Sequence, residues 1–228
     1  MASFSKHQSL GEYQKAINSI YGVPDDRFFS IYDLVSQLGR FTMRALKGIR
    51  KGDREKLKNN LVITPSWMAT LSSRVHIDME ESIIRRFPCV CSYCGKKPCT
   101  CKKIKLAKRA KAVRACPKTP ASLAEFQKMF DEIYPSKERT LSDAGVHLAE
   151  ETGEVNEAIC NYLGAHKAKQ FRDIEDEIAD WVSCIFGIAN SAKIDVATES
   201  AKYFKNNCHV CHHAPCTCNF TFINSFNS

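Results

Sequence analysis

Two short carboxylate pairs, Glu151-x-x-Glu154 and Glu177-x-x-Asp180, are the acidic residues best spaced to do chemistry together. At about 100° per residue, the members of an i, i+3 pair lie roughly 60° apart on one helix face, so each pair can aim its oxygens at a single point. Leu148, Thr152, Val155 and Ile159 form an apolar stripe beside the first pair; Ile174, Ile178, Trp181 and Ile185 form one beside the second. Each pair follows the first residue of its stripe at the same offset (148 to 151, 174 to 177), so the two helices share one phase. Packed together they would converge four carboxylates, which repel one another unless a cation sits among them. Mg2+ takes oxygen ligands and commonly bridges to phosphate, which implies a phosphate-bearing substrate. Most acidic residues merely solvate a helix face, as Glu150, Glu157, Glu175 and Asp176 are expected to do. The matched phase beside the core stripe sets the two pairs apart.

The second chemical signal is cysteine. Cys91, Cys94, Cys99 and Cys101, and again Cys208, Cys211, Cys216 and Cys218, follow one pattern, C-x2-C-x4-C-x-C, with a shared Pro-Cys-Thr-Cys end. Four thiolates at such short spacings suit tetrahedral Zn2+, with an iron–sulfur centre as the minor option. Disulfides require an oxidising compartment, for which nothing in the sequence argues. Cys89, Cys116, Cys160 and Cys184 lie outside the pattern and read as ordinary thiols. His209, His212 and His213 have no counterpart in the first cluster and are left out of the ligand set.

These groups need helices to position them, and the chain reads as all-α. Gly and Pro are sparse, and apolar periodicity fits helices at 121–133, 141–163, 170–191 and 194–206, and earlier at 9–20, 29–50, 65–76 and 78–87. Thr64-Pro65 reads as a helix start, and Ser142 or Asp143 as the cap of the first acidic helix. The two sets repeat. Leu10-Gly-Glu-Tyr-Gln-Lys matches Leu123-Ala-Glu-Phe-Gln-Lys, and Ile77–Ser82 resembles Ile194–Ser200 with one residue inserted. A period of about 115 residues marks a duplicated domain rather than a solenoid. Aligning Gly39 with Gly153 and Trp67 with Trp181 places Gln37, Arg40, Ile63 and Ser66 at the four acid positions, so the first copy has lost its ligands. Arg40 then stands opposite Glu154, with Arg44 a turn further on.

Charge divides the chain as well: +7 over residues 1–101, +8 over 102–118 and −7 over 119–228. The domains are therefore 1–101, a basic linker at 102–120, and 121–228. The linker reads as solvated ahead of a nucleic-acid contact, because basic residues without interleaved aromatics are weak evidence for one. No apolar run approaches membrane-spanning length and the N-terminus lacks an apolar signal core, so a cytoplasmic protein without membrane contact is expected.

The segment from His147 to Ile159, followed by Glu177-Ile-Ala-Asp180-Trp with twenty-two residues between Glu154 and Glu177, resembles the E-E-x-x-E and E-x-x-D signature of the MazG-like, all-α NTP pyrophosphatase superfamily. Ile194-Asp195 with Lys202, Lys205 and Asn206 is similar to that family's last helix, where a Lys and an Asn contact the nucleotide. The resemblance covers about residues 122–207. It implies two tandem four-helix MazG-like units packed as a pseudo-dimer, each ending in a four-cysteine module that is not part of the family signature. It also implies a magnesium-dependent hydrolase that converts a nucleoside triphosphate to monophosphate and pyrophosphate. Glu151, Glu154, Glu177 and Asp180 would hold Mg2+, and Lys202, Asn206 and Arg40 would meet the substrate. The alternative is a non-catalytic zinc-binding nucleotide sensor or nucleic-acid adaptor on the same fold. Oligomeric state stays open.

Overall fold

The computed structural model describes residues 4–228 except 105, 111, 113, 117 and 227, and all regular structure among them is helical. The first half holds α1 (Leu10–Phe28), α2 (Ile31–Lys51), α3 (Arg54–Arg74) and α4 (Met79–Arg86). The second holds α5 (Leu123–Ile133), α6 (Leu141–Ala165), α7 (Ala168–Ala192) and α8 (Val196–Tyr203), and a short α9 (Phe220–Ser225) follows the second cysteine cluster. None of these helices is long and apolar enough to cross a membrane.

Most of the starts are written locally. Ser9 and Ser30 each form a reciprocal capping box, with Glu12 and Asp33 respectively. Asp53, Asp78, Ser122 and Asp195 accept an amide hydrogen bond from the third residue of their helices. Thr140 caps α6 by accepting from the Asp143 amide, so the cap is neither Ser142 nor Asp143.

Two expected boundaries are corrected. Helix α1 continues past residue 20 through Pro24 to Phe28, and α3 begins at Arg54, so Pro65 lies inside a helix instead of opening one. Proline forgoes the amide bond to the carbonyl four residues back. Burial of Leu57, Leu61, Val62 and Ile63 ahead of it holds the turn helical regardless. At about 25 cal/mol per Å2, burying even two such side chains offsets a cost of about 3 kcal/mol for an interior proline. The basic linker forms no helix among its described residues.

The repeat reappears as matched hydrogen bonds. Gln14 Nε2 donates to the Ile77 carbonyl while Gln14 Oε1 accepts from the Met79 amide; Gln127 does the same with Ile194 and Val196. Helices α4 and α8 have equal length behind Asp78 and Asp195, so the inserted residue assumed between them is absent.

Contacts between the halves are also paired. Helix α4 packs on α7 and α8 packs on α3, while α2 meets α6 and α3 meets α7. The Cys99 amide donates to the Ile133 carbonyl at 2.8 Å, and the Cys216 amide to the Ile20 carbonyl at 2.6 Å. Ile20 and Ile133 occupy equivalent places in the repeat, so each half lays its last helix and cysteine module on the other. The apolar core runs through both halves without a break.

Candidate active site and cysteine clusters

Helices α6 and α7 pack along each other with the expected stripes inward: Leu148, Val155, Ile159, Ile174, Ile178 and Trp181 are buried. Trp181 Nε1 donates to Thr152 Oγ1 at 3.0 Å, and Thr152 in turn donates to the Leu148 carbonyl. That bond locks the rotation of the two helices, and it leaves the acids on a shared flank.

Glu151, Glu177 and Asp180 each present a carboxylate oxygen within 4.8 Å of the others. Glu154, the fourth predicted ligand, falls outside this set and is exposed, at the edge of the cluster where its carboxyl reaches Glu177. The Oε2 atoms of Glu151 and Glu177 are buried without any hydrogen-bond partner. Burial first, then repulsion from Asp180 and the other acids, pushes Glu151 up to about 8 and Glu177 up to about 7.

These raised values make a prediction about stability. Between the ordinary carboxyl value of 4.5 and about 8, the folded chain holds protons at Glu151 and Glu177 that the unfolded chain has released. The free energy of unfolding therefore falls as pH rises through that window. Urea midpoints in EDTA are expected to drop between about pH 5 and about pH 9, and to drop less in Glu151→Gln/Glu177→Gln. An equal drop in both proteins would show that the two acids are not strained.

A cation not anticipated from the sequence reaches this cluster. Arg86, from α4 of the first half, donates to Asp180 through Nε and Nη2 and to Asp176 through Nη1, while Arg85 pairs with Glu175 and Asp176. The exchange of last helices brings it there. Lys202 lies in the last turn of the equivalent α8, which packs against α3 and α5, and Asn206 just beyond it; Lys202 is paired with Glu199 at 2.7 Å and Asn206 is exposed. Arg40 makes its contacts elsewhere, with Gln37 Oε1 and the Phe226 carbonyl. Once α4 is set against α8 without a gap, Arg85 stands where the second half has Lys202. That register was the signal available for Arg85 and Arg86.

Both cysteine clusters are assembled. The sulfurs of Cys91, Cys94, Cys99 and Cys101 lie within 4.8 Å of one another, as do those of Cys208, Cys211, Cys216 and Cys218, and either set could hold zinc. Backbone amides point at the sulfurs, from Thr100 to Cys94, Cys101 to Cys99, Thr217 to Cys211 and Cys218 to Cys216. Such donors favour thiolates, but at Cys99 burial outweighs them and pushes the thiol up to about 11. A hydrogen bond from Cys216 leads the causes that bring Cys208 down to about 4. At Cys94 and Cys211, amide bonds outweigh burial and bring both thiols to about 6.

Cys89 and Cys116 are joined as a disulfide, which corrects their reading as ordinary thiols. The bond ties the end of the linker to the base of the first module, where the Ala115 amide also donates to the Pro88 carbonyl. Further along, the linker lies on the module through Tyr93, which donates to the Leu106 carbonyl and stacks under Arg109. Cys160 is exposed, whereas Cys184 is half-buried near Glu151.

Tyr134 joins the first cluster to the acids. Its hydroxyl donates to Cys91 Sγ, and the ring packs on Phe87, the residue after Arg86.

Comparison of the chain with family models, with curated proteins and with solved structures finds no match. Among the described residues, what fold and site define is an all-helical protein with two four-cysteine clusters and one cluster of converging carboxylates.

Proposed function

We propose that the second half is a magnesium-dependent nucleoside triphosphate pyrophosphohydrolase on a MazG-like helical scaffold, converting an NTP or dNTP to the monophosphate and pyrophosphate. The observation that carries this reading is the pair of buried, unpartnered oxygens on Glu151 and Glu177, converging with Asp180. Leaving such oxygens unsatisfied costs about 1–3 kcal/mol each or more for a charged group, a cost that a bound cation would remove. A pure adaptor has no use for that arrangement. Glu151, Glu177 and Asp180 would hold Mg2+. Bound there, it would supply charge neutralisation and Lewis-acid activation of phosphate and water.

The chain's own groups supply the rest. Glu154, exposed at the edge of the cluster, accepts the proton of the attacking water. A bond forms between that water oxygen and the α-phosphorus, the bond from the α-phosphorus to the bridging oxygen breaks, and pyrophosphate departs. Arg86 is held at the acids by Asp176 and Asp180. It would neutralise charge on the bound triphosphate and on the leaving group, and its contribution is mainly to binding.

The test is a panel of nucleoside triphosphates incubated with protein and magnesium, with products separated. Monophosphate and pyrophosphate are expected from at least one. Diphosphate with single phosphate, or no turnover of any, would overturn the proposal. In the same assay Arg86→Ala is expected to raise KM about 10-fold, equivalent to about 1.4 kcal/mol, with a smaller fall in kcat.

A further inference from the structure

The first half has lost its acids, yet the equivalent place between α2 and α3 is a built cavity. A space of about 70 Å3 remains there, walled by Phe41, Ile63, Ser66 and Trp67. Ile63 and Ser66 stand at two of the lost acid positions. The Phe41 and Trp67 rings lie nearly parallel, 15° apart with centroids at 5.9 Å. Tyr203 of α8 lines the same cavity, in the place that Arg86 of α4 takes at the acid cluster.

The occupant of this site is the C-terminal segment. Phe222, Ile223 and Phe226 close the cavity, and Phe226 packs on Phe41 with ring centroids at 6.4 Å. Around these apolar groups the segment offers hydrogen-bond acceptors to one cluster of cations. Arg40 Nη2 donates to the Phe226 backbone oxygen at 2.6 Å; Arg44 Nη1 and Lys56 Nζ donate to the Ser228 backbone oxygen at 3.1 and 3.0 Å. Gln37 Nε2 donates to Asn224 Oδ1 at 3.3 Å, and Ser228 Oγ donates to Asn60 Oδ1 at 2.8 Å.

We propose that this is a second, non-catalytic site for a nucleoside polyphosphate, and that residues 219–228 are a plug the ligand displaces. Aromatic rings of the plug stand in for the base, and its backbone oxygens stand in for phosphate oxygens. The exchange favours the ligand electrostatically. Burial first, then the neighbouring Arg44, lowers the pKa of Arg40, and the plug answers its guanidinium with a neutral carbonyl where a polyphosphate would bring full negative charge. Phe41 and Trp67 are stacked on each other, so in this slot a base would take the place of the Phe226 ring against Phe41, without any residue specific to one base. An inorganic polyanion would use the cations alone, and an aromatic peptide, including the plug of a second copy, would use the slot alone. The combination points to a nucleotide. The inference does not depend on hydrolysis by the second half.

The experiment measures binding of ATP and of inorganic tripolyphosphate in EDTA, by calorimetry, on the full chain. Occupancy by the plug lowers apparent affinity by the fraction of time the site is open. Phe222→Ala/Phe226→Ala is therefore expected to bind ATP at least about 10-fold more tightly than wild type, and more tightly than it binds tripolyphosphate. Adding Arg40→Ala/Arg44→Ala is expected to remove at least that gain. In wild-type protein, saturating ATP is expected to raise hydrogen exchange at the Phe222 and Ile223 amides, which donate to Asn219 when the plug is seated. Equal affinity with and without the two phenylalanines, binding that survives loss of both arginines, or unchanged exchange at saturation would overturn the proposal. Equal affinity for ATP and tripolyphosphate would overturn the assignment of the aromatic slot to a base.

Discussion

Glu177→Gln is expected to slow release of pyrophosphate by at least about 100-fold in magnesium, because it removes a charged ligand and nothing of comparable size from the fold. Glu177 is half-buried, its Oε2 has no partner, and burial together with Asp180 and Glu154 drives its carboxyl towards the protonated form. The amide keeps shape and relieves that repulsion, so the folded chain should be at least as stable as wild type. Loss of rate with gain or retention of stability separates a ligand from a structural residue. Asp180→Asn is expected to lose activity to the same degree but to lose stability as well, since Arg86 donates to both Asp180 oxygens. Product analysis and urea midpoints on the two variants check this. Turnover near the wild-type rate in Glu177→Gln would remove the acid cluster from the chemistry.

The acid cluster was legible because local rules agree there. The stripe and the acid phase belong to one pair of long helices whose ends fall within two residues of expectation, although the cap of the first is Thr140 and not Ser142 or Asp143. The same holds for the cysteine clusters, whose ligands are close in sequence, so short loops suffice to gather them. Pro65 misled because a proline at a helix start and one inside a buried helix look alike until the burial of Leu57 and Leu61 is known. Arg86 and the terminal plug were not legible for a different reason. Each acts on residues more than ninety positions away, through packing of one half on the other. A repeat reveals that two copies exist; it does not say that they exchange their last helices. The bond between Cys89 and Cys116 likewise depends on where the linker folds back.

Because the modules are exchanged, removal of cluster metal should have a larger consequence than loss of two loops. Purified protein is expected to carry about two zinc ions per chain under reducing conditions, one at each cluster. Cys91, Cys208 and Cys216 are buried, and Cys99 and Cys216 each donate a backbone hydrogen bond to the opposite half. Structural zinc contributes about 10–16 kcal/mol in small peptides, where it is the whole of the folding energy. Here a continuous helical core shares the task, so Cys208→Ser/Cys216→Ser is expected to cost several kcal/mol and lower Tm by at least about 10 °C. The equivalent change at the first cluster, Cys91→Ser/Cys101→Ser, should do this and also raise KM for the nucleotide. Tyr134 donates to Cys91, and its ring supports Phe87 beside Arg86, so disorder at that cluster would free the guanidinium proposed above to meet the substrate. The second cluster has Tyr21 and the plugged cavity in that place, and its loss should leave KM unchanged in the protein that remains folded. Elemental analysis, thermal melts and kinetics below the lowered Tm read all three effects. A brown, iron-containing protein, or a cluster variant that keeps wild-type stability, would show that these cysteines do not clamp the halves through zinc. Equal KM values in the two cluster variants would break the link drawn from Cys91 through Tyr134 to Arg86.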